Sequence, residues 1–440
     1  MSNKALTMLN EKKFPELIQA LKDMEPADIA LMLDELPEEH LALVFRMLPK
    51  ELAAEVFVEM DGDDQELLIR SFSDRELKDV IEELYVDDAV DIIEEMPANV
   101  VTRILKYTDP EMRKTINELL KYPKDSAGSI MTTEMVVLKK NMTVEDAFVR
   151  IRLTGIDKET IYTCYITDEN RKLTGIVTAK TLMLTDHNEI LENIMETNPI
   201  SVQTIEDQEA VAQTFRKYDF LALPVVDTEN RLVGIITVDD VIDVINEEAT
   251  EDIEMMAAIT PTDKPYMRTG VFETWKKRIP WLLLLMISAT FTGSIITYFE
   301  DALAAQVVLT AFIPMLMDTG GQASVTIIRG LALDELAFRD MPKIIWKEMR
   351  VALACGITLA TANFAKLMLI DRVSLSVAGV VCITLISTVF FAKIVGCTLP
   401  MLAKKVGFDP AVMASPFITT IVDAISLLVY FRIAAMLLNF

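Results

Sequence analysis

The chain has 440 residues with 42 basic and 67 acidic side chains, a net charge of −25, yet 51% of its residues are apolar. The charge is segregated: residues 276–440 hold 14 basic and 10 acidic side chains, against 28 and 57 before them. A front portion at −29 repels phosphates, which excludes nucleic acid as a main partner, and the apolar back portion must be built differently.

The opening MSNKALTMLNEKKF has no apolar core of a signal peptide, so the acidic front portion is expected in the cytoplasm. Residues 14–109 carry a 12-residue repeat, with blocks opening at Phe14, Pro26, Glu38, Lys50, Gly62, Asp74, Val86 and Ala98. Block positions 7, 8 and 11 are apolar, from Met32, Leu33 and Leu36 through to Ile92, Ile93 and Met96. That spacing is one face of a helix, and Pro or Asp at the block ends stops it. A helix this short cannot bury its stripe alone. The blocks must therefore stack on one another, which predicts a helical superhelix over residues 1–125.

Residues 126–250 contain a duplication. Ile-Thr-Asp168-Glu-Asn-Arg-Lys-Leu-Thr-Gly175 matches Val-Val-Asp227-Thr-Glu-Asn-Arg-Leu-Val-Gly234. Each copy reads as strand, turn, strand, with a helix after it and an apolar helix before it (144–153 and 209–218). This α/β arrangement resembles a tandem pair of CBS domains, a ligand-sensing module of channels and enzymes. The resemblance makes Thr237 and Asp240 candidate nucleotide contacts. The last helix then runs on as an acidic connecting helix and linker over 239–270, with Asp239, Asp240, Asp243, Glu247, Glu248, Glu251, Asp252 and Glu254 within 16 residues.

Residues 271–440 read as a five-helix transmembrane domain. Stretches 279–299, 302–328, 351–370, 373–403 and 408–431 are each apolar enough to span, since about 20 residues cross the hydrocarbon as a helix. Lys276, Lys277, Arg278, Arg329, Arg339, Lys343, Lys347, Arg350, Lys404 and Lys405 flank one side of these spans. The positive-inside rule then places the N-terminus, a 329–350 loop and the 404–407 loop in the cytoplasm, and the C-terminus outside.

Carboxylates within the spans point to the chemistry. A charge at the centre of a membrane helix costs roughly 2.5–3.5 kcal/mol, so it usually faces a pore or a partner. Asp423 lies 14 residues past Asp409, about 21 Å along a continuous helix. Asp409 then marks the cytoplasmic mouth, and Lys393 or Lys366 is the alternative partner for Asp423. Asp318 sits beside Gly320 and Gly321, and irregular backbone at that depth must line protein or water, which favours a path between spans two and five. The available donors (carboxylates, Gln322, and the Ser415, Thr419 and Thr420 hydroxyls) are hard oxygens that suit Mg²⁺, Ca²⁺ or Mn²⁺. The four cysteines form no CxxC pair and only His40 and His187 exist, so zinc, disulfide and His-based catalytic designs lack parts. Asp318-Thr319-Gly320 is the aspartic-protease tripeptide, but its transmembrane setting lacks the flanking motifs of intramembrane proteases; the chain is not read as an enzyme.

The order of parts resembles the MgtE magnesium channels from end to end. The strings that carry the resemblance run from Asp125 to Met131 (DSAGSIM), from Arg278 to Trp281 (RIPW), from Ile327 to Ala332 (IIRGLA), and Phe408-Asp409-Pro410-Ala411 followed by Asp423. The resemblance implies a mainly α protein, a homodimer in a bacterial-type inner membrane, and no obligatory protein partner beyond the second copy and membrane lipid. It also implies a pore lined by spans two and five, in which Asp423 holds hydrated Mg²⁺, Asp409 marks the inner mouth and Ser415 lies on the wall between them. It further implies a Mg²⁺ sensor formed by Asp87, Asp91, Glu209, Asp219, Asp240, Asp243, Glu248, Glu251 and Asp252. Some members bind ATP at the CBS pair. The family's Gly-Asn-x-Gly-x-Gln pattern is incomplete here, about four residues short, and Gln322 stands in for the missing amide. Transport of another divalent such as Co²⁺ or Mn²⁺, and a non-conducting magnesium sensor, are the competing functions.

Overall fold

A computed structural model describes residues 2–262, 269–299, 320–333, 335–413 and 416–438. Two compact units make up the chain, Met1–Val244 and Ile245–Phe440.

In the first unit, the helices Phe14–Lys22, Pro26–Asp34, Glu38–Phe45, Lys50–Val58, Gly62–Ser71, Asp74–Ile81, Val86–Glu95 and Ala98–Tyr107 begin on the residues that open the repeat blocks. Ser2–Asn10 precedes the series and Pro110–Leu119 extends it by one period. Block positions 7, 8 and 11 are buried from Met32 to Met96. Position 4 is buried too (Ile29, Leu41, Ala53, Leu77, Ala89), completing an i, i+3, i+4, i+7 face. Gln65 occupies that position in one block, and its amide donates to the Phe57 carbonyl at 2.8 Å, which removes the cost of burying it. Each helix meets the one two along: Pro26–Asp34 touches Lys50–Val58, which touches Asp74–Ile81, which touches Ala98–Tyr107. Phe45, Phe57 and Phe72 meet at centroid distances of 5.5–6.3 Å in the middle of this stack.

The duplicated segment forms two small sheets. Met135–Lys139 pairs parallel to Thr160–Thr167, which pairs antiparallel to Leu173–Thr178. The second copy repeats the pattern with Val202–Gln203, Ala222–Val226 and Leu232–Thr237. Asp168 and Asp227 build the same turn in each copy, their Oδ1 atoms each accepting two backbone N–H groups at 2.8–2.9 Å. The copies face each other through a reciprocal pair: Leu173 N–H donates to Asn230 O and Leu232 N–H to Arg171 O. Met135, Tyr165, Leu173, Val226, Leu232 and Ile235 seal that seam. Where the superhelix enters this pair, Gly128 N–H donates to Thr204 O at 2.9 Å. A Cβ there would stand 2.5 Å from the Tyr122 ring, so only glycine allows the approach.

In the second unit, four helices among the described residues are long and apolar enough to cross a membrane, within Val271–Tyr298, Phe338–Leu369, Leu375–Val406 and Phe417–Leu437. The fourth of the five expected spans, Leu375–Val406, is central and packs on Met341–Leu369, Gly320–Ala332 and Pro416–Leu438. Of the second expected span, the described part is the helix Gly320–Ala332, and residues 302–319 lie outside the described residues.

Two expectations need correction. Much of the 329–350 loop is helix, because Met341–Leu369 starts before the apolar stretch and carries Lys343, Lys347 and Arg350 on its first turns. All three are exposed, which lets a helix continue past the hydrocarbon with its charges in water. Asp409 and Asp423 do not share one helix: Leu375–Val406 ends on Gly407 at φ 86°, Asp409 sits in the following turn, and the last helix begins only at Pro416. Gly407 takes the left-handed conformation that lets Phe408 N–H reach Ala403 O at 3.0 Å. Asp409 Oδ1 accepts from Ala411 N–H at 2.8 Å, which fixes the turn. Asp423 is therefore only seven residues into its helix, about 10 Å from the first turn.

Candidate cation sites

Within the first unit, carboxylates from three elements of the fold gather around the start of helix Val86–Glu95. This helix contributes Asp87, Asp88 and Asp91; Glu134 and Glu159 flank the first CBS strands; Asp239 and Asp240 open the connecting helix Val238–Met256. Glu134 Oε2 accepts from Val86 N–H at 3.2 Å, and Glu159 N–H donates to Glu134 O at 2.9 Å. Asp87 is 8% exposed and its Oδ1 has no hydrogen-bond partner among the described residues; nor has Glu159 Oε2.

Burial and mutual repulsion hold Asp87, Asp88, Asp91, Glu159 and Asp240 toward their neutral forms. Burial first, and then Glu134, pushes Asp87 up to about 6. Burial followed by the charges of Asp87 and Asp240 takes Asp88 to about 7 and Asp91 to about 8. Glu159 rises to about 8 through burial and the charges of Asp87 and Asp239. Asp240 reaches about 7 by burial, opposed by the Thr237 hydroxyl that donates to it at 2.6 Å. Such a set is stabilised by protons or by a cation. Among the described residues no three acids, histidines or thiols converge closely enough for a ready-made metal cage. The donors suit an ion that keeps its water and is held across gaps, which is the behaviour of Mg²⁺.

The other expected sensor residues divide between the two units. Glu209 and Asp219 lie at opposite ends of helix Gln208–Tyr218, about 15 Å apart, so one chain does not bring them together. Asp219 is the left-handed cap of that helix at φ 54°. Asp243 is exposed on the connecting helix. Glu248, Glu251 and Asp252 fall in the second unit. There, burial first, then Asp409 and Glu248, pushes Asp252 up to about 6, and Arg329 opposes them. Met255 and Met256 pack with Ile328 and Ala411, so this end of the connecting helix sits on the turn that carries Asp409. Sequence reasoning named Asp87, Asp91 and Asp240 but missed Asp88, Glu134, Glu159 and Asp239. Asp88 and Asp239 adjoin named residues, whereas nothing in local pattern marks Glu134 or Glu159.

In the membrane region, Asp423 is half-buried on helix Pro416–Leu438. Lys366 pairs with Asp371 at 3.2 Å, and no ion pair joins Lys393 to Asp423 among the described residues. Gln322 is exposed on helix Gly320–Ala332, while Asp318 and Ser415 lie outside the described residues. An open groove of about 530 Å³ runs between Val271–Tyr298 and the last helix, lined by Phe291, Ile295, Tyr298, Ile421, Ile425 and Leu428 among others. It is apolar, and Asp423 is not among its lining residues.

A helical superhelix, a CBS pair and a bundle of apolar helices long enough to span define a multi-pass membrane transport protein. Family models agree with each piece: the MgtE intracellular N domain over residues 24–125, the CBS domain over 127–187 and 191–247, and the MgtE divalent cation transporter over 309–433. The chain is 37% identical to the magnesium transporter MgtE of Thermus thermophilus, over 98% of this chain and 97% of that protein. It is 32% identical to the magnesium transporter MgtE of Bacillus subtilis, over 98% and 95%. Residues making up 56% of the chain superpose on the cytosolic domain of the Mg²⁺ channel MgtE solved in complex with ATP, with 36% identity, a TM-score of 0.53 and all of that chain covered. The soluble part of a magnesium transporter matches at 31% identity and a TM-score of 0.52, over 56% of this chain and 98% of that one. The chain belongs to the MgtE family of magnesium transporters.

Proposed function

We propose that this protein is a homodimeric Mg²⁺ uptake channel of the inner membrane that cytoplasmic Mg²⁺ holds shut. One observation carries the gating half: the connecting helix Val238–Met256 places Asp239 and Asp240 in the acidic cluster at its start and Asp252 beside Asp409 at its end. With little Mg²⁺, the carboxylates at both ends repel one another and favour separation. A divalent cation cancels that repulsion and favours the closed arrangement, and its effect equals its differential affinity for the two arrangements. Asp87, Asp88, Asp91, Glu134, Glu159 and Asp240 are assigned the first site, and Glu248, Glu251, Asp252 and Asp409 the second. Asp243 on the connecting helix, with Glu209 and Asp219 in the second CBS copy, is assigned to further sites that a second protomer completes.

Conduction rests on Asp423. Its carboxylate attracts the hydrated cation in a setting where charge is otherwise expelled. Gln322, Asp318 and Ser415 are assigned to the same path. The chain runs with its N-terminus in the cytoplasm and its C-terminus outside, in keeping with the basic residues flanking the spans. ATP binding would use Thr237 and Asp240, which already meet at 2.6 Å and would have to give up that bond; calorimetric titration of the full chain with ATP tests it. Mg²⁺ flux into proteoliposomes tests the function itself, with Co²⁺ and Mn²⁺ as competitors. Preferred flux of either competitor would reassign the ion, and absence of any flux at low internal Mg²⁺ would leave a non-conducting sensor.

A further inference from the structure

Hydroxyl groups on the membrane helices fall into two classes. Thr290, Ser294, Thr358, Thr361 and Ser387 each donate to the carbonyl four residues earlier in their own helix, at 2.7–3.0 Å. Thr384, Thr388 and Ser426 do not. They are 0%, 0% and 2% exposed, and their hydroxyls find no partner among the described residues. A buried hydroxyl without a partner is costly in a bilayer, where only protein or enclosed water can satisfy it.

The three share one seam. Val380 and Val381 pack in a cluster with Leu427 and Tyr430, and Ala392 packs with Ile418 and Val422. Leu375–Val406 and Pro416–Leu438 therefore run antiparallel, and the stretch 384–388 lies opposite 423–426. Thr384 is one turn past Val380 and Val381, and Thr388 one turn further, so both stay on the face toward the last helix. Ser426 is one turn before Tyr430, and Asp423 three residues earlier again, on the same stripe. Three unpaired hydroxyls and the proposed pore carboxylate thus meet at one depth.

We infer that this seam is a water-binding pocket inside each protomer, and that Thr384, Thr388 and Ser426 position the water around Asp423. A buried water needs two to four polar partners, which these groups supply. Mg²⁺ gives up its water reluctantly, so what a site recognises is the ion with its hydration shell, and oxygens that orient that water act on the ion without touching it. The three are positioning residues, and the inference rests on the pore reading of Asp423.

Paired substitutions in the full-length protein separate the hydroxyl from its shape. Thr384→Val with Thr388→Val keeps the volume and removes the hydroxyls; Thr384→Ser with Thr388→Ser does the reverse. Mg²⁺ influx into proteoliposomes is expected to fall by about tenfold or more in the Val pair and to stay within about twofold in the Ser pair. Wild-type influx in the Val pair, or equal loss in both pairs, overturns the pocket. If the Val pair does not assemble, Ser426→Ala decides alone, with a loss of about threefold or more expected and unchanged influx fatal. Asp423→Asn run alongside distinguishes the two failures. Normal conduction in that variant removes the pore reading itself, whereas a dead Asp423→Asn beside a fully active Val pair removes only the pocket.

Discussion

The acidic cluster of the first unit and Asp423 of the second solve opposite electrostatic problems. Asp87 and six other carboxylates crowd together where the superhelix meets the CBS pair, and their charges act on one another. Asp423 is the one acidic residue of helix Pro416–Leu438, which is otherwise mostly apolar. A collective site responds to ion concentration by degrees. A solitary one fails outright when changed. Gating should accordingly be tunable residue by residue, and conduction should not.

The largest effect that would break this comparison is expected at the solitary site. Asp423→Asn should lower Mg²⁺ uptake on the order of 100-fold or more while the size-exclusion profile of the protein stays unchanged. Near-normal uptake would move the pore elsewhere. Next comes the connecting helix, which shares Asp240 with the collective site: neutralising Asp240, Asp243, Glu248, Glu251 and Asp252 together should leave the channel open in patch recordings at millimolar Mg²⁺. Unchanged closure would remove the sensor. Asp91→Asn alone should raise the half-closing Mg²⁺ concentration by only about three- to tenfold, since one charge among seven is lost. A shift as large as that of the fivefold variant would make the cluster less collective than argued.

A gentler effect concerns pH. Asp88, Asp91 and Glu159 have folded values near 7 to 8, above the usual carboxylate range. The folded state therefore binds more protons than the unfolded one between about pH 4 and pH 8, so stability falls as pH rises through that window. Without divalent ions, the Tm of the full chain in detergent should drop from pH 5 to pH 8, and Mg²⁺ should restore it at the alkaline end. A flat profile would mean that the cluster is solvated in the free protein. The smallest change lies outside both sites: Ser73→Ala removes the cap bonded to Glu76 N–H and should cost about 1 kcal/mol without altering gating.

Much of this was legible in the chain. The repeat blocks named the starting residue of eight helices, because a 12-residue period with Pro or Asp at the ends leaves a short helix no other boundary. The paired Asp turns named both CBS copies. The apolar stretches named four helices long enough to span among the described residues, while their ends escaped: basic residues such as Lys343 can ride on helix turns beyond the hydrocarbon, and the Asp409 turn takes up the first residues of the stretch 408–431, ahead of the helix at Pro416. Gln65 escaped because its hydrogen bond to Phe57 O exists only once two helices are stacked.

Sequence by itself determined which segments are helices, which of them are apolar enough for lipid, and that one of these carries an aspartate. Those properties follow from periodicity and hydropathy, which act along the chain. Only the tertiary structure decided that Glu134 and Glu159 join Asp87, that Asp252 meets Asp409, and that Leu375–Val406 packs on the helix bearing Asp423. Those are meetings of residues tens to hundreds of positions apart, fixed by which faces pack, and no local pattern encodes them.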